Sequence, residues 1–290
     1  MEKGETRTVS RRKMREMGPG ALGVGILCFA LLMLITPRIP QPQKYHDYAD
    51  KRRRFFGIPY TLNVISNFPF LAIGLAGLAL CYYKGSYFKI CLRGEALGWA
   101  CFYVGIAGVT FGSSYYHLNP NDATLVWDRV PMAVAMAGIL TIFVIERVDE
   151  KKGVLSLIPF LLCGVGSVFY WRYTGDLRPY AAVETIPAIV VVLMAILIPP
   201  KYTHSTYWLW AAGCFQMARI HEIADRPTYF LTGYTVSGHT LKHAFIAVLA
   251  TILTLMLALR DIQTQRISLL QRWSASWKKV KENNGCTKVT

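Results

Sequence analysis

The chain has 290 residues, of which 53% are hydrophobic, 13% aromatic and only 17% charged, and the apolar residues come in long blocks that exclude an ordinary soluble domain. A formal net charge of +15 would suit nucleic-acid binding, but the basic residues gather in the two tails and one loop, which is the pattern of membrane topology, and no nucleic-acid partner is expected. Seven cysteines, an odd number with no CxxC, exclude both a disulfide framework and a thiolate zinc site.

Residues 1–19 form a basic tail carrying Arg7, Arg11, Arg12, Lys13 and Arg15, read as cytosolic. Eight apolar runs follow, at about 20–36, 60–83, 95–115, 129–145, 154–171, 182–199, 206–223 and 236–259. Each approaches the roughly 17–25 residues that a helix needs to cross a bilayer. A spanning chain must satisfy its own backbone, so the fold class is all-α: a polytopic membrane protein. The expected organisation is an N-terminal membrane anchor at 20–36, a seven-transmembrane-helix core within 46–259, and a basic cytosolic tail at 260–290. The first run ends at Pro37-Arg38, a poor cleavage site for a signal peptidase, which favours a retained anchor. Within the last tail, Leu269–Trp277 reads as a short amphipathic helix.

With the N-terminus inside, the inside segments hold 20 of the 32 Lys and Arg, against six in the opposing 38–54 segment. This orientation was set by basic residues alone. It nevertheless gathers the costly polar residues at one end of the bundle, toward the lumen of an endoplasmic reticulum or Golgi membrane. Ser113 and His117 close one span, Asp128 opens the next, and His239 and His243 open the last. Ser113/His117 and His239/His243 are each spaced i, i+4, one turn apart on one helix face. Three neutral imidazoles leave a tetrahedral zinc one open position, the catalytic pattern. Asp128 fits a general base and Ser113 a hydrogen-bond donor to an oxyanion.

Other polar residues carry two readings each. His221 and Glu222, beside Asp225 and Arg226, form either an internally paired cluster or a headgroup or metal-supporting site. Arg172, Asp176 and Arg178 form either a solvated turn or a substrate contact. Asn63, Ser66 and Asn67 are interhelical hydrogen-bonding groups or orient the Asp128 region. Gly108 and Gly112 allow close helix packing. His46 and His204 read as solvated loop residues.

The combination Ser113-x3-His117, Asp128 eleven residues later and His239-x3-His243 resembles the signature of the CREST superfamily of seven-helix membrane hydrolases. Within it, NVISNFPF, FGSSYYHLNP, LVWDRVP and SGHTLKH look most like the alkaline ceramidase (alkaline phytoceramidase-like) family, over roughly residues 46–259. The resemblance implies zinc on His117, His239 and His243, with Asp128 and Ser113 at the reacting water. It implies a membrane-lipid partner, ceramide or phytoceramide, cut at its N-acyl amide to a sphingoid base and a fatty acid. It also implies an acidic calcium site before the first core helix. Here only Asp47 and Asp50 match that site, while Arg52 and Tyr60 stand at other ligand positions, so calcium is expected to bind weakly at best. Two rival readings are an ester or lipid-remodelling hydrolase of the same superfamily, and a non-catalytic receptor-like protein with a structural zinc.

Overall fold

The computed structural model describes residues 19–51, 55–83 and 87–286. The basic residues of the N-terminal tail and Arg52–Arg54 lie outside the described residues. The chain is all helical: α1 (Pro19–Ile35), α2 (Thr61–Ile65), α3 (Phe68–Tyr82), α4 (Arg93–Leu118), α5 (Asp122–Arg147), α6 (Glu150–Thr174), α7 (Arg178–Leu197), α8 (Tyr207–Ile223), α9 (Asp225–Leu231), α10 (Gly238–Leu259) and α11 (Leu269–Cys286). Among the described residues six helical segments are long and apolar enough to span a membrane, with α2 and α3 counting as one. The remaining two runs became α1 and α8, of 17 residues each. The protein is therefore a multi-pass membrane protein. Its surface carries the expected lipid-facing residues, including Leu155, Ile158 and Leu162 of α6.

The tightest joint in the bundle is the α4–α5 hairpin. Asn121 caps α5 through a reciprocal capping box with Thr124, so only residues 119–121 separate the two helices. Along α4, Gly98, Gly105 and Gly112 recur every seven residues and all meet α5. A Cβ on Gly105 would fall 2.4 Å from the Ala135 nitrogen, and one on Gly112 would fall 1.9 Å from the Trp127 carbonyl oxygen. A seven-residue stripe of glycines lets two backbones run nearly side by side. Gly108, one of the two glycines singled out from the sequence, meets only Pro131 at 3.2 Å, so the stripe passes through Gly112 but not through it.

At the bundle end that holds the α4 N-terminus, Arg260 is fully buried between Glu95 and Glu146, and Tyr202 donates to Glu95 at 2.6 Å. Arg260 follows α10 directly, so the bundle extends into the start of the segment read as a tail. The helix expected near Leu269–Trp277 runs on to Cys286. The described cysteines, Cys28, Cys81, Cys91, Cys101, Cys163 and Cys214, are all free.

Candidate metal centre and cavity

At the other end, the residues singled out by spacing meet in space. His117 sits in the last turn of α4, Asp128 lies in the second turn of α5, and His239 and His243 lie on the first two turns of α10. One ring nitrogen of each of His117, His239 and His243 lies within 4.8 Å of the other two, and all three residues are buried. Both ring nitrogens of His117, and Nε2 of His239, are buried with no hydrogen-bond partner. An orphaned buried imidazole is costly, and one shared ion would satisfy all three rings, so the residues fit a divalent metal.

Local sequence explains how each ring is held. Ser237 caps α10 by accepting from the Thr240 N–H, and Asp225 accepts from the His239 N–H at 2.7 Å. The other Asp225 oxygen accepts from the Ala49 N–H at 2.8 Å. The 39–51 segment is thereby strapped across the bundle end. Its Tyr48 ring lies 4.8 Å from His117 and 4.5 Å from His239, and shields both from water. Ser66 lies 2.7 Å from Nδ1 of His243, which leaves Nε2 free for a metal. Asn63 accepts from the Ser237 and Thr240 hydroxyls. Of the three polar residues of NVISN, Asn63 and Ser66 bond to α10, and Asn67 bonds back to the Asn63 carbonyl. Replacing Ser66 with Ala is expected to weaken zinc binding about 10–100-fold without loss of the fold, as read by chelator competition.

Through His243 the cluster reaches a cavity with about 970 Å³ of empty space, part of it open to the outside. Ser113, Asp128, Lys242 and His243 line its polar end, and Phe102, Ile139 and Leu249 line it farther down. Ser113 to Phe102 along α4 is eleven residues, about 16 Å of helix. That is about one leaflet of a bilayer whose hydrocarbon core is ~30 Å thick. Ser113 stands beside Asp128, but its buried Oγ makes no hydrogen bond of ordinary geometry and remains available as a donor.

The other sequence-selected residues fall elsewhere. Asp176 and Arg178 pair with each other, and Arg178 donates to the carbonyls of Met33 and Thr36, fastening α1 to the core. The hydrogen bonds from Arg178 hold the Asp176 carboxyl low, at about 2. Arg172 is exposed at the end of α6. None of these three lines the cavity. His221 stacks on Phe245 at 5.3 Å and meets Thr228, not a metal-facing histidine. Glu222 pairs with Lys242 at 2.6 Å and Arg219 at 2.5 Å, behind the cavity wall. His204 is exposed, as expected. His46 is not solvated: its ring bridges the Tyr116 hydroxyl at 2.9 Å and Asp122 at 3.0 Å, because the strap folds it onto the α4–α5 hairpin. Lys242 and Arg219 line the cavity but carried no signal in the sequence, since charges 23 positions apart show no spacing rule; Glu184, which the orientation puts on the same lumenal side as the histidines, lines it too.

The two acids matched to a calcium site have different surroundings. Asp47 is paired with Lys51 and Arg226, and the hydrogen bond from Lys51 leads in holding its carboxyl below the usual range. Asp50 is fully buried, with neither oxygen in a hydrogen bond of ordinary geometry. Burial, with Asp225 nearby, pushes its carboxyl up to about 6. The folded state therefore binds the Asp50 proton more tightly than the unfolded chain does. The resulting stabilisation is complete below about pH 4 and is lost as pH rises through about 6. Asp50→Asn is accordingly expected to raise the melting temperature at pH 8, by the equivalent of about 1–3 kcal/mol, and to lose that advantage near pH 4. Thermal scans of both proteins across this range check the expectation.

The fold and site together define a multi-pass, all-helical membrane protein with a buried three-histidine cluster able to coordinate a divalent metal, an arrangement consistent with a membrane-embedded hydrolase. Comparisons with models of protein families, with curated proteins and with solved structures find no match.

Proposed function

We propose that the protein is a zinc-dependent amidase of the membrane that hydrolyses the N-acyl bond of a ceramide-type lipid, releasing a fatty acid and a sphingoid base. The observation that carries this reading is the convergence of three buried imidazoles, one of which, His243, lies on the polar end of a largely apolar cavity. His117, His239 and His243 would hold the metal. When bound, zinc supplies Lewis-acid polarisation and lowers the pKa of a water toward about 7.

The chain's own residues do the rest. The apolar cavity wall takes the acyl chain and brings the amide to the polar end. A carboxylate oxygen of Asp128 accepts a proton from the attacking water, whose oxygen adds to the acyl carbon. Ser113 Oγ donates a hydrogen bond to the oxygen of that carbon as it gains charge. Asp128 returns the proton to the amine nitrogen as the C–N bond breaks. Tyr48 and the strap keep bulk water out. The catalytic unit is the segment 46–259, with the site toward the lumenal face of an endoplasmic reticulum or Golgi membrane.

The test is free fatty acid released by purified protein from a panel of amide and ester lipids, with bound zinc counted in the same samples. Release from ceramides or phytoceramides supports the proposal. Release from esters alone moves the reading to a lipid-remodelling esterase. One zinc per chain with no release from any lipid favours the receptor-like reading.

A further inference from the structure

The last span is followed by one more helix, α11. Residues 260–268 cross the bundle end where α4 begins and where α5, α7 and α10 finish. Arg260 is held there between Glu95 and Glu146. Arg266 donates to the Pro199 carbonyl, just past α7, at 3.1 Å. Ser268 and Leu269 are buried. Ser268 Oγ accepts from the Gln271 N–H at 3.2 Å, and the Gln271 side chain accepts from the Ser268 N–H at 3.0 Å. This reciprocal capping box starts the helix at a fixed place. That place is the level at which the spans leave the hydrocarbon core.

From that mooring α11 has two unlike faces. At 3.6 residues per turn Leu269, Leu270, Trp273 and Trp277 fall on one arc of about 100°, and the sequence returns to it at Val280. Arg272, Lys278, Lys279 and Lys281 fall outside that arc, against the single acid Glu282. Five charges in 18 residues keep α11 out of the bilayer core. Past Leu269 the bundle does not cover the apolar arc: Leu270 is 50% exposed, Trp273 46% and Trp277 69%. Two open indoles on one face are costly in water, and a headgroup layer suits them, with the ring at the apolar boundary and the N–H among polar groups. The surrounding charge has a sign even with every acid counted. Residues 87–95, 146–153, 198–206 and 260–268 of this bundle end hold eight Lys and Arg against five Asp and Glu, before the net positive charge of α11 is added.

We infer that α11 lies in the headgroup layer of the membrane that the bundle spans, with Trp273 and Trp277 toward the acyl chains, and that its basic residues bind anionic phospholipid headgroups. The inference needs the multi-pass bundle and is independent of the amidase reading. The bilayer is the occupant because the mooring through Arg266, Ser268 and Leu269 holds the helix where the spans end. A bilayer surface offers both things the helix lacks: an apolar boundary for the indoles and fixed negative charge for the lysines. A zwitterionic surface supplies only the first.

The experiment uses the full-length protein in nanodiscs that hold a single copy, made of phosphatidylcholine alone or with phosphatidylserine added. Tryptophan emission is quenched by lipids brominated near the headgroup end or near the methyl end of the acyl chain. The signal of Trp273 and Trp277 is the difference between wild type and the double variant Trp273→Phe, Trp277→Phe, in which the other tryptophans cancel. The expected result is strong quenching by the shallow bromine, weak quenching by the deep one, and more quenching with phosphatidylserine. Changing Lys278→Gln, Lys279→Gln and Lys281→Gln together, measured against its own phenylalanine pair, is expected to shift the docking equilibrium in the anionic discs by about 10–100-fold toward the undocked helix. Molar salt acts in the same direction. All these changes lie outside the spans, so the melting temperature of the bundle is expected to hold. Indoles quenched by neither bromine in either disc overturn the membrane placement, and a blue-shifted emission in that case assigns their cover to protein. Equal quenching with and without phosphatidylserine, or no effect of the lysine changes, overturns the anionic headgroup assignment.

Discussion

Asp128→Asn is expected to bind zinc as wild type does and to hydrolyse nothing measurable, whereas His243→Ala loses both metal and turnover. The two residues are close in space and different in role. His243 belongs to the group of nitrogens that converge, and its outer nitrogen is already fixed by Ser66. Asp128 lies outside that group, beside Ser113 on the cavity wall. Asparagine keeps the shape of aspartate, so packing against α4 survives, but it cannot accept and return a proton. Loss of a positioned general base costs about 10²–10⁴-fold in rate. Metal content and fatty-acid release, measured on the same preparations, separate the two effects. Substantial turnover in the asparagine variant would remove Asp128 from the chemistry.

The second large effect is steric. Gly112→Ala would place a methyl carbon 1.9 Å from the Trp127 carbonyl oxygen and 2.7 Å from its carbon, both backbone atoms that no rotamer change can move aside. Helices α4 and α5 must separate at this point. The cost is on the order of 1–3 kcal/mol or more, as for other overpacked sites. Separation would also carry Ser113 and His117 away from Asp128. A displacement of ~1 Å between reacting groups can cost about 10² in rate. The alanine variant is therefore expected to melt at a lower temperature and to lose activity out of proportion to the fraction unfolded. Gly166→Ala is the control: nothing lies within 4 Å of its added carbon, and alanine favours helix by about 1 kcal/mol, so stability holds or rises. Equal behaviour of the two variants would deny the glycine stripe its role.

What the sequence alone determined follows from local rules. Long apolar runs mark helices, so the ends of the long spans were readable to within about four residues, except that α5 starts at Asp122, seven residues before the run read at 129–145. The i, i+4 pairs Ser113/His117 and His239/His243 put their members on shared helix faces before any packing is known. The eleven residues from His117, which closes one span, to Asp128, which opens the next, likewise keep the two at one end of the bundle.

What only the tertiary structure decided depends on how helices are rotated and how closely they cross. Ser66 reaches His243 across 177 positions, Ala49 reaches Asp225 across 176, and Glu95 reaches Arg260 across 165. No periodicity links such pairs, and a charged residue has no unique partner in a sequence with 32 basic and 17 acidic side chains. His46 read as a loop residue because its burial is created by Tyr116 and Asp122, two residues of another hairpin. Glu184, Arg219 and Lys242 read as charges within or beside apolar helices until the cavity gave them a common surface. Hydrophobicity and helical spacing act over one or two turns, and they set which segments span and which face each side chain shares. Which polar faces meet is set by backbone contacts such as Gly112 on Trp127, and those exist only once the bundle has closed.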